Sequence, residues 1–129
     1  MADGDGVDLW SLADLRTPWC LHVVATLDIA RQLADGPREV DDLAAAAGCD
    51  AAALRRVLRH LVSHGVFDEP TPGTYDLNDA ARALLDPGMR AFLDLDGIGG
   101  RIAHAWGTLL SVVRTGRPAY HEVFDRPFW

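Results

Sequence analysis

Residues 39–78, EVDDLAAAAGCDAAALRRVLRHLVSHGVFDEPTPGTYDLN, carry the pattern that decides the fold. Asp41 and Asp42 are acidic residues suited to the positive end of a helix dipole, and the alanine run after them stops at Gly48, a residue that commonly ends helices. Asp50 is a good N-cap for a second helix. The segment therefore predicts two helices joined by a tight turn.

The second helix is predicted to bury one face and to leave the other in solvent. Apolar residues recur at i, i+3, i+4, i+7 and i+8, which places them on one side of a helix. These residues are Leu54, Val57, Leu58, Leu61 and Val62.

A hairpin is predicted directly after this helix. Gly65 ends the helix, and residues 66–67 and 74–77 flank the sequence Pro-Thr-Pro-Gly at 70–73, whose prolines and glycine favour a chain reversal. The fold class that follows is mainly α: a winged helix-turn-helix with a two-stranded wing and additional flanking helices for dimerisation.

The helix before this unit suggests a second copy of the chain as partner. Thr17 and Pro18 form an N-cap and N1 pair, and the helix is predicted to continue to about Asp35, before Gly36 and Pro37. Its apolar residues spread around most of its circumference, more than so small a domain can cover. We therefore expect a homodimer, with interface candidates Trp19, Val23, Val24 and Leu27.

Further helices are predicted after the hairpin. Asn78 can cap a short helix through Leu85, and a long helix is expected from Ile98 to near Gly116. The long helix carries an apolar stripe that can pack onto the core or line a pocket: Ile102, Trp106, Leu109, Leu110 and Val113. The tail beyond it is aromatic, with Tyr120, Phe124, Phe128 and Trp129.

Composition limits the domain count and the partners. With 129 residues, 49% of them hydrophobic, the chain can bury one core. We expect residues 1–8 to be a flexible N-terminus and residues 9–129 to form one domain.

The formal charge of −7 repels nucleic acids and anionic membrane surfaces. No apolar run approaches the roughly 20 residues that span a bilayer, and two cysteines without CxxC spacing favour a reduced, cytoplasmic setting.

No catalytic, cofactor-binding or metal-binding set emerges from the residues. His60 and His64 have metal-compatible i, i+4 spacing, but Leu61 stands where a zincin would have glutamate. Cys20 and His22 lack a third group to complete a site, and His104 lies off the apolar stripe of the long helix. The glycine-rich residues 96–100 follow no predicted strand, so we interpret them as a helix-entry turn with close helix packing.

Three segments together resemble a known family. They are residues 12–67, residues 72–87 (PGTYDLNDAARALLDP) and residues 93–129. In this order they resemble the N-terminal dimerisation domain of bacterial S-adenosylmethionine-dependent small-molecule O-methyltransferases. The nearest members are anthracycline-tailoring enzymes of the carminomycin 4-O-methyltransferase and aclacinomycin hydroxylase type.

The resemblance implies a function as part of a larger enzyme. In that family the domain forms an intertwined dimer and contributes helices to the roof of an aromatic substrate pocket, and a following Rossmann-like domain binds S-adenosylmethionine. The cofactor and catalytic residues would lie beyond Trp129, so this chain alone is expected to be non-catalytic. Trp106 is the leading candidate for the substrate lid.

A DNA-binding transcriptional regulator is the alternative. Arg55, Arg56 and Arg59 lie on the exposed side of the second helix, as a regulator would require. The first turn of that helix, residues 50–53, offers almost no donors to base edges, however, and acidic residues stand at positions 41, 42, 68, 69 and 76. Electrostatics therefore argue against DNA binding, and the resemblance favours the dimerisation module.

Overall fold

The computed structural model describes residues 6–118. Residues 1–5, which form most of the predicted flexible N-terminus, and residues 119–129, which hold the aromatic tail Tyr120, Phe124, Phe128 and Trp129, lie outside the described part.

The described residues form nine α-helices, three strands and two 3₁₀ turns. The elements before the sheet are α1 (Leu9–Leu12), α2 (Arg16–Thr26), α3 (Ile29–Gln32), β1 (Arg38–Glu39), α4 (Val40–Ala47) and α5 (Ala51–Ser63). Those that follow are β2 (Asp68–Thr71), β3 (Thr74–Asp76), α6 (Asp79–Arg82), a 3₁₀ turn (Ala83–Leu85), α7 (Pro87–Leu93), α8 (Ile98–Ala105), a second 3₁₀ turn (Trp106–Thr108) and α9 (Leu109–Thr115).

The predicted helix pair is confirmed. Gly48 ends α4 with a left-handed φ of 71°, and the Asp50 carboxylate caps α5 by accepting a hydrogen bond from the Ala53 amide at 2.8 Å. The apolar stripe of α5 faces inward, with Leu54, Leu58 and Leu61 buried. This helix anchors the core, which also contains Val24, Ile29, Leu33, Leu43, Phe67 and Tyr75.

The sheet has three strands, so the prediction of a two-stranded wing is wrong. β2 and β3 form the expected hairpin, and β1 pairs antiparallel with β3, giving the order β1-β3-β2. Arg38 lies opposite Tyr75, and the Val40 amide donates to the Gly73 carbonyl at 2.9 Å. Two residues are too few to show a strand periodicity in the sequence. They form a strand because they pair with the distant hairpin.

Asn78 holds the chain where α5 leads into the hairpin. Phe67 has a left-handed φ of 71°, a conformation that costs a bulky residue about 1–3 kcal/mol. Its amide donates to the Asn78 side chain at 3.1 Å, the same oxygen accepts from the Ala81 amide, and the Asn78 amide group donates to the Gly65 carbonyl. These bonds, together with burial of the Phe67 ring, offset the strain.

The predicted helix from Thr17 to Asp35 is interrupted, which corrects the sequence analysis. α2 ends at Thr26, and Asp28 has a left-handed φ of 57° before α3 begins. Aspartate tolerates this conformation better than most residues. Its carboxylate pairs with Arg31 at 3.1 Å and with Arg90 of α7 at 3.2 Å, so a distant partner stabilises the break.

The C-terminal helical segment (residues 98–115) is also interrupted, at the 3₁₀ turn Trp106–Thr108. It meets the rest of the domain through glycines. A Cβ atom on Gly99 would lie 1.8 Å from the Phe92 carbonyl oxygen, and one on Gly100 would lie 2.0 Å from that of Leu95. Helix α8 therefore packs backbone to backbone on α7 and the turn after it. The prediction of a helix-entry turn with close packing is confirmed.

Among residues 6–118, no helix has both the length and the apolar composition to cross a membrane.

Gly99→Ala tests this backbone contact. We expect it to lower the free energy of unfolding by about 3 kcal/mol or more, because overpacking against a fixed carbonyl cannot be relieved by a side-chain rotation. Gly107→Ala is the control, since a Cβ there meets open space. Urea unfolding measures both. Equal effects of the two substitutions would contradict the contact.

Candidate functional site

An apolar groove lies along the C-terminal helical segment. Its volume is about 320 Å³, and the residues that line it are Ile102, Ala105, Trp106, Thr108, Leu109 and Val112. The Trp106 side chain is 68% exposed. An exposed aromatic beside aliphatic side chains is suited to bind a flat apolar molecule.

The groove contains three of the five residues predicted for the substrate lid: Ile102, Trp106 and Leu109. Leu110 and Val113 are exposed outside it, whereas the lining residues Ala105, Thr108 and Val112 were missed. The 3₁₀ turn explains the difference between the predicted and the observed lining from Thr108 onward. Each of its three residues advances the chain by about 120° around the helix axis, instead of about 100° in an α-helix. Helix α9 is therefore rotated by roughly 60° relative to an uninterrupted helix. A uniform helical period could not show this rotation.

Polar groups of α2 hold the turn from which the C-terminal segment starts. The His22 Nδ1 atom donates to the Leu93 carbonyl at 2.8 Å. The Thr26 hydroxyl accepts from the Leu95 amide at 2.8 Å and donates to the His22 carbonyl at 2.7 Å. The polar groups of α2 thus satisfy the Leu93 carbonyl and the Leu95 amide. Because α2 is part of the core, these bonds fix the direction in which α8 starts.

Trp19 links α2 to α8 through its ring. Its centroid lies 5.3 Å from that of His22 and 5.4 Å from that of His104, and both pairs are tilted. His104 therefore faces α2 and is absent from the lining of the groove. The contact gives the middle of α8 a second attachment to the domain.

The predicted dimer-interface residues divide into two groups. Val24 is 1% exposed and packs in the core of its own chain, so the prediction that it faces a partner is corrected. Trp19, Val23 and Leu27 are partly exposed, and their interface role stays a prediction. A larger exposed set, which the sequence analysis missed, is the N-terminal apolar surface: Val7, Leu9, Trp10, Leu12 and Leu15.

His60 and His64 form a contact pair at the C-terminal end of α5. Their ring centroids are 4.4 Å apart, and His60 Nε2 lies 2.7 Å from the Thr17 hydroxyl of α2. Partial burial lowers the pKa of His60, and the neighbouring His64 and Arg16 lower it further. Within residues 6–118, no three His, Cys, Asp or Glu side chains gather as a metal site would require.

The glycine-rich turn does not fit a nucleotide cofactor. The α-carbons of Gly99 and Gly100 face carbonyl oxygens of the protein itself, whereas a phosphate cradle needs free backbone N–H groups. The Gly100 amide already donates to the Asp94 carbonyl at 3.0 Å.

Burial raises the pKa of the Cys20 thiol, so the residue is suited to packing more than to nucleophilic chemistry.

Comparisons with known proteins give one consistent family. The family model of the O-methyltransferase dimerisation domain matches residues 10–87. The 2,7-dihydroxy-5-methyl-1-naphthoate 7-O-methyltransferase of Streptomyces carzinostaticus is 39% identical, over 95% of this chain and 38% of the relative. Aclacinomycin 10-hydroxylase RdmB of Streptomyces purpurascens is 36% identical, over 94% of this chain and 34% of the relative.

Solved structures agree with the sequence matches. The crystal structure of TnmH superposes with a TM-score of 0.91 at 39% identity, covering 100% of this chain and 39% of that one. The O-methyltransferase NcsB1 from neocarzinostatin biosynthesis, in complex with S-adenosylmethionine and 2-hydroxy-5-methyl naphthoic acid, gives a TM-score of 0.88 at 38% identity, covering 97% and 39%. The chain thus spans little more than a third of these relatives.

Trp106→Ala tests whether this residue serves the groove or the core. Because the side chain is mostly exposed, we expect the free energy of unfolding to fall by about 1 kcal/mol or less, against about 2–5 kcal/mol for the buried control Leu58→Ala. Urea unfolding measures both. A loss for Trp106→Ala as large as that for the control would assign this tryptophan to the core.

Proposed function

The chain belongs to the O-methyltransferase dimerisation domain family, and we propose that it is the homodimerisation and substrate-lid module of a tailoring enzyme that acts on aromatic secondary metabolites. The observation that carries the proposal is that the domain closes its own core and yet leaves two apolar surfaces exposed. One is the N-terminal apolar surface and the other is the groove along residues 98–115.

The central unit is proposed to be a winged helix-turn-helix used for assembly. In support, α4 and α5 are joined by only residues 48–50, the β2-β3 hairpin follows α5, and β1 directly precedes α4 and pairs with β3. The α5 surface argues against DNA binding. Its first turn is Ala51, Ala52 and Ala53, which present no base-reading donors, and the exposed acids Asp41, Asp42 and Asp68 would repel phosphates.

The N-terminal apolar surface is proposed to bind a second copy of the chain. The Trp10 side chain is 88% exposed, and Val7, Leu9, Leu12 and Leu15 are each more than 70% exposed. Five exposed apolar residues within nine positions of the chain are more than the singly scattered apolar residues of an ordinary protein surface, and larger exposed apolar patches mark interaction sites. Trp19, Val23 and Leu27 on α2 extend the proposed interface, because their side chains are only partly covered by their own chain.

The groove is proposed to cover an aromatic substrate held by a separate catalytic domain. Its apolar lining and exposed Trp106 suit the flat face of an aromatic ring. In the NcsB1 structure a naphthoic acid and S-adenosylmethionine are bound by a chain about two and a half times as long as the matched part. We propose that S-adenosylmethionine binding, and the methyl transfer or hydroxylation chemistry, belong to the part of a complete enzyme that corresponds to the unmatched remainder of the NcsB1 chain.

Light scattering tests the proposed assembly. We expect a dimer for the unaltered chain and a folded monomer for Leu12→Glu, because a carboxylate buried in an apolar interface carries a desolvation cost of several kcal/mol. Since Leu12 is exposed in the single chain, the fold itself should tolerate the change.

Ala53→Glu is the matched control. It adds the same charge at an exposed position of α5, and we expect it to remain dimeric. Circular dichroism verifies that both variants are folded. The proposal fails if the unaltered chain is a well-folded monomer whose mass does not change with dilution.

Titration calorimetry tests the proposed location of the cofactor. We expect no saturable binding of S-adenosylmethionine to this chain, because carbonyl oxygens close its glycine-rich turn. Binding with a micromolar dissociation constant would refute the assignment of the cofactor to another part of the enzyme.

A further inference from the structure

The hydrogen-bond ladder of the C-terminal helical segment changes partners at Ala105. The Leu109 amide donates to the Trp106 carbonyl, three residues back, which is the 3₁₀ pattern. The Ala105 carbonyl, which an α-helix would pair with that amide, accepts a hydrogen bond from the Thr108 hydroxyl at 2.7 Å. A threonine hydroxyl that donates to a carbonyl of the preceding turn, and so competes with the backbone amide for it, is an arrangement that bends helices.

The two sides of this break are attached to the domain very differently. Helix α8 is held by the backbone contacts of Gly99 and Gly100 and by the ring contact between His104 and Trp19. On the other side, no residue of α9 is buried within the described part of the chain. Gly107 lies between them with open space where a Cβ would stand, and glycine has the least helix-favouring backbone after proline.

The groove spans the break. Ile102 and Ala105 belong to α8, Trp106 and Thr108 belong to the turn, and Leu109 and Val112 belong to α9. A change of angle at the turn therefore moves one wall of the groove relative to the other, while α8 stays fixed to the core.

We propose that the 3₁₀ turn Trp106–Thr108 is a hinge, and that the Thr108 hydroxyl is the positioning group that keeps the helix broken there. Rotation of α9 about this hinge sets the width of the groove. The interpretation of that width as substrate access depends on the proposed lid function, whereas the hinge itself depends only on the geometry of residues 98–115.

Amide hydrogen exchange of the whole chain, compared among three variants, tests the hinge. Thr108→Val keeps the β-branched shape and removes the hydroxyl, so Leu109 can donate to Ala105 and α9 continues α8. We expect exchange in residues 107–113 to slow by about fivefold, the ratio that corresponds to one net hydrogen bond of about 1 kcal/mol. Thr108→Ser retains the hydroxyl and should exchange like the unaltered chain.

Gly107→Ala separates the hydroxyl from general helix propensity. It should also slow exchange in α9, because alanine favours helix by up to about 1 kcal/mol over glycine. Slowing by Gly107→Ala together with no change in Thr108→Val would overturn the role of Thr108. Equal exchange in all variants, or exchange of α8 and α9 as one cooperative unit in the unaltered chain, would overturn the hinge.

The groove provides an independent readout. Fluorescence titration with 1-anilinonaphthalene-8-sulfonate, an apolar bicyclic probe, should give a dissociation constant that differs between the unaltered chain and Gly107→Ala, because Gly107 lies in the turn but is absent from the lining of the groove. An equal constant for the two chains would contradict control of groove width by the turn. Light scattering of the same samples reports the dimer separately, so failure of the assembly and failure of the hinge give different results.

Discussion

Burial of the apolar stripe of α5 is the interaction on which the other elements depend. Leu58 and Leu61 are fully enclosed in one core with Val24 of α2, Leu43 of α4 and Tyr75 of β3. Complete burial of side chains of this size contributes about 1.5–3 kcal/mol each. Because α2 is fixed in this way, its polar groups are in position to hold the turn after α7, and that turn sets the direction of α8.

The same core explains why apolar surface is left over. Once α2, α4, α5 and the sheet have closed around it, α1 and α9 have no core face to cover. Their apolar residues, such as Trp10 and Leu110, are exposed in the single chain. A chain whose formal charge is −7 gains solubility from its acidic residues, but that charge does not remove the cost of exposed apolar area. Association is the physical means of covering it, which is consistent with membership of a dimerisation family.

Local signals in the sequence predicted the centre of the fold well, because the responsible interactions are local. The Gly48 helix end, the Asp50 cap and the stripe of α5 all depend on residues a few positions apart. Features set by distant partners were predicted incorrectly. The Asp28 carboxylate at the break pairs with the distant Arg90, β1 is a strand only through its pairing with β3, and the inward position of Val24 depends on the whole core. Part of the groove was missed for a different reason. The break at Trp106–Thr108 is local, but the apolar stripe was predicted on the assumption that every residue turns by about 100°, and that assumption fails in a 3₁₀ turn.

The way α8 is attached has a consequence for specificity. Its packing uses the backbone at Gly99 and Gly100, and the Trp106 side chain at its end is mostly exposed. Binding sites work best when the scaffold is rigid and the contacting side chains are free to suit the ligand. For the lid function proposed above, substitution of the exposed Trp106 can therefore alter the lining of the groove with little effect on the stability of the domain. Substitutions at the two glycines would disturb every groove residue at once, because all of them lie on the segment that these glycines position.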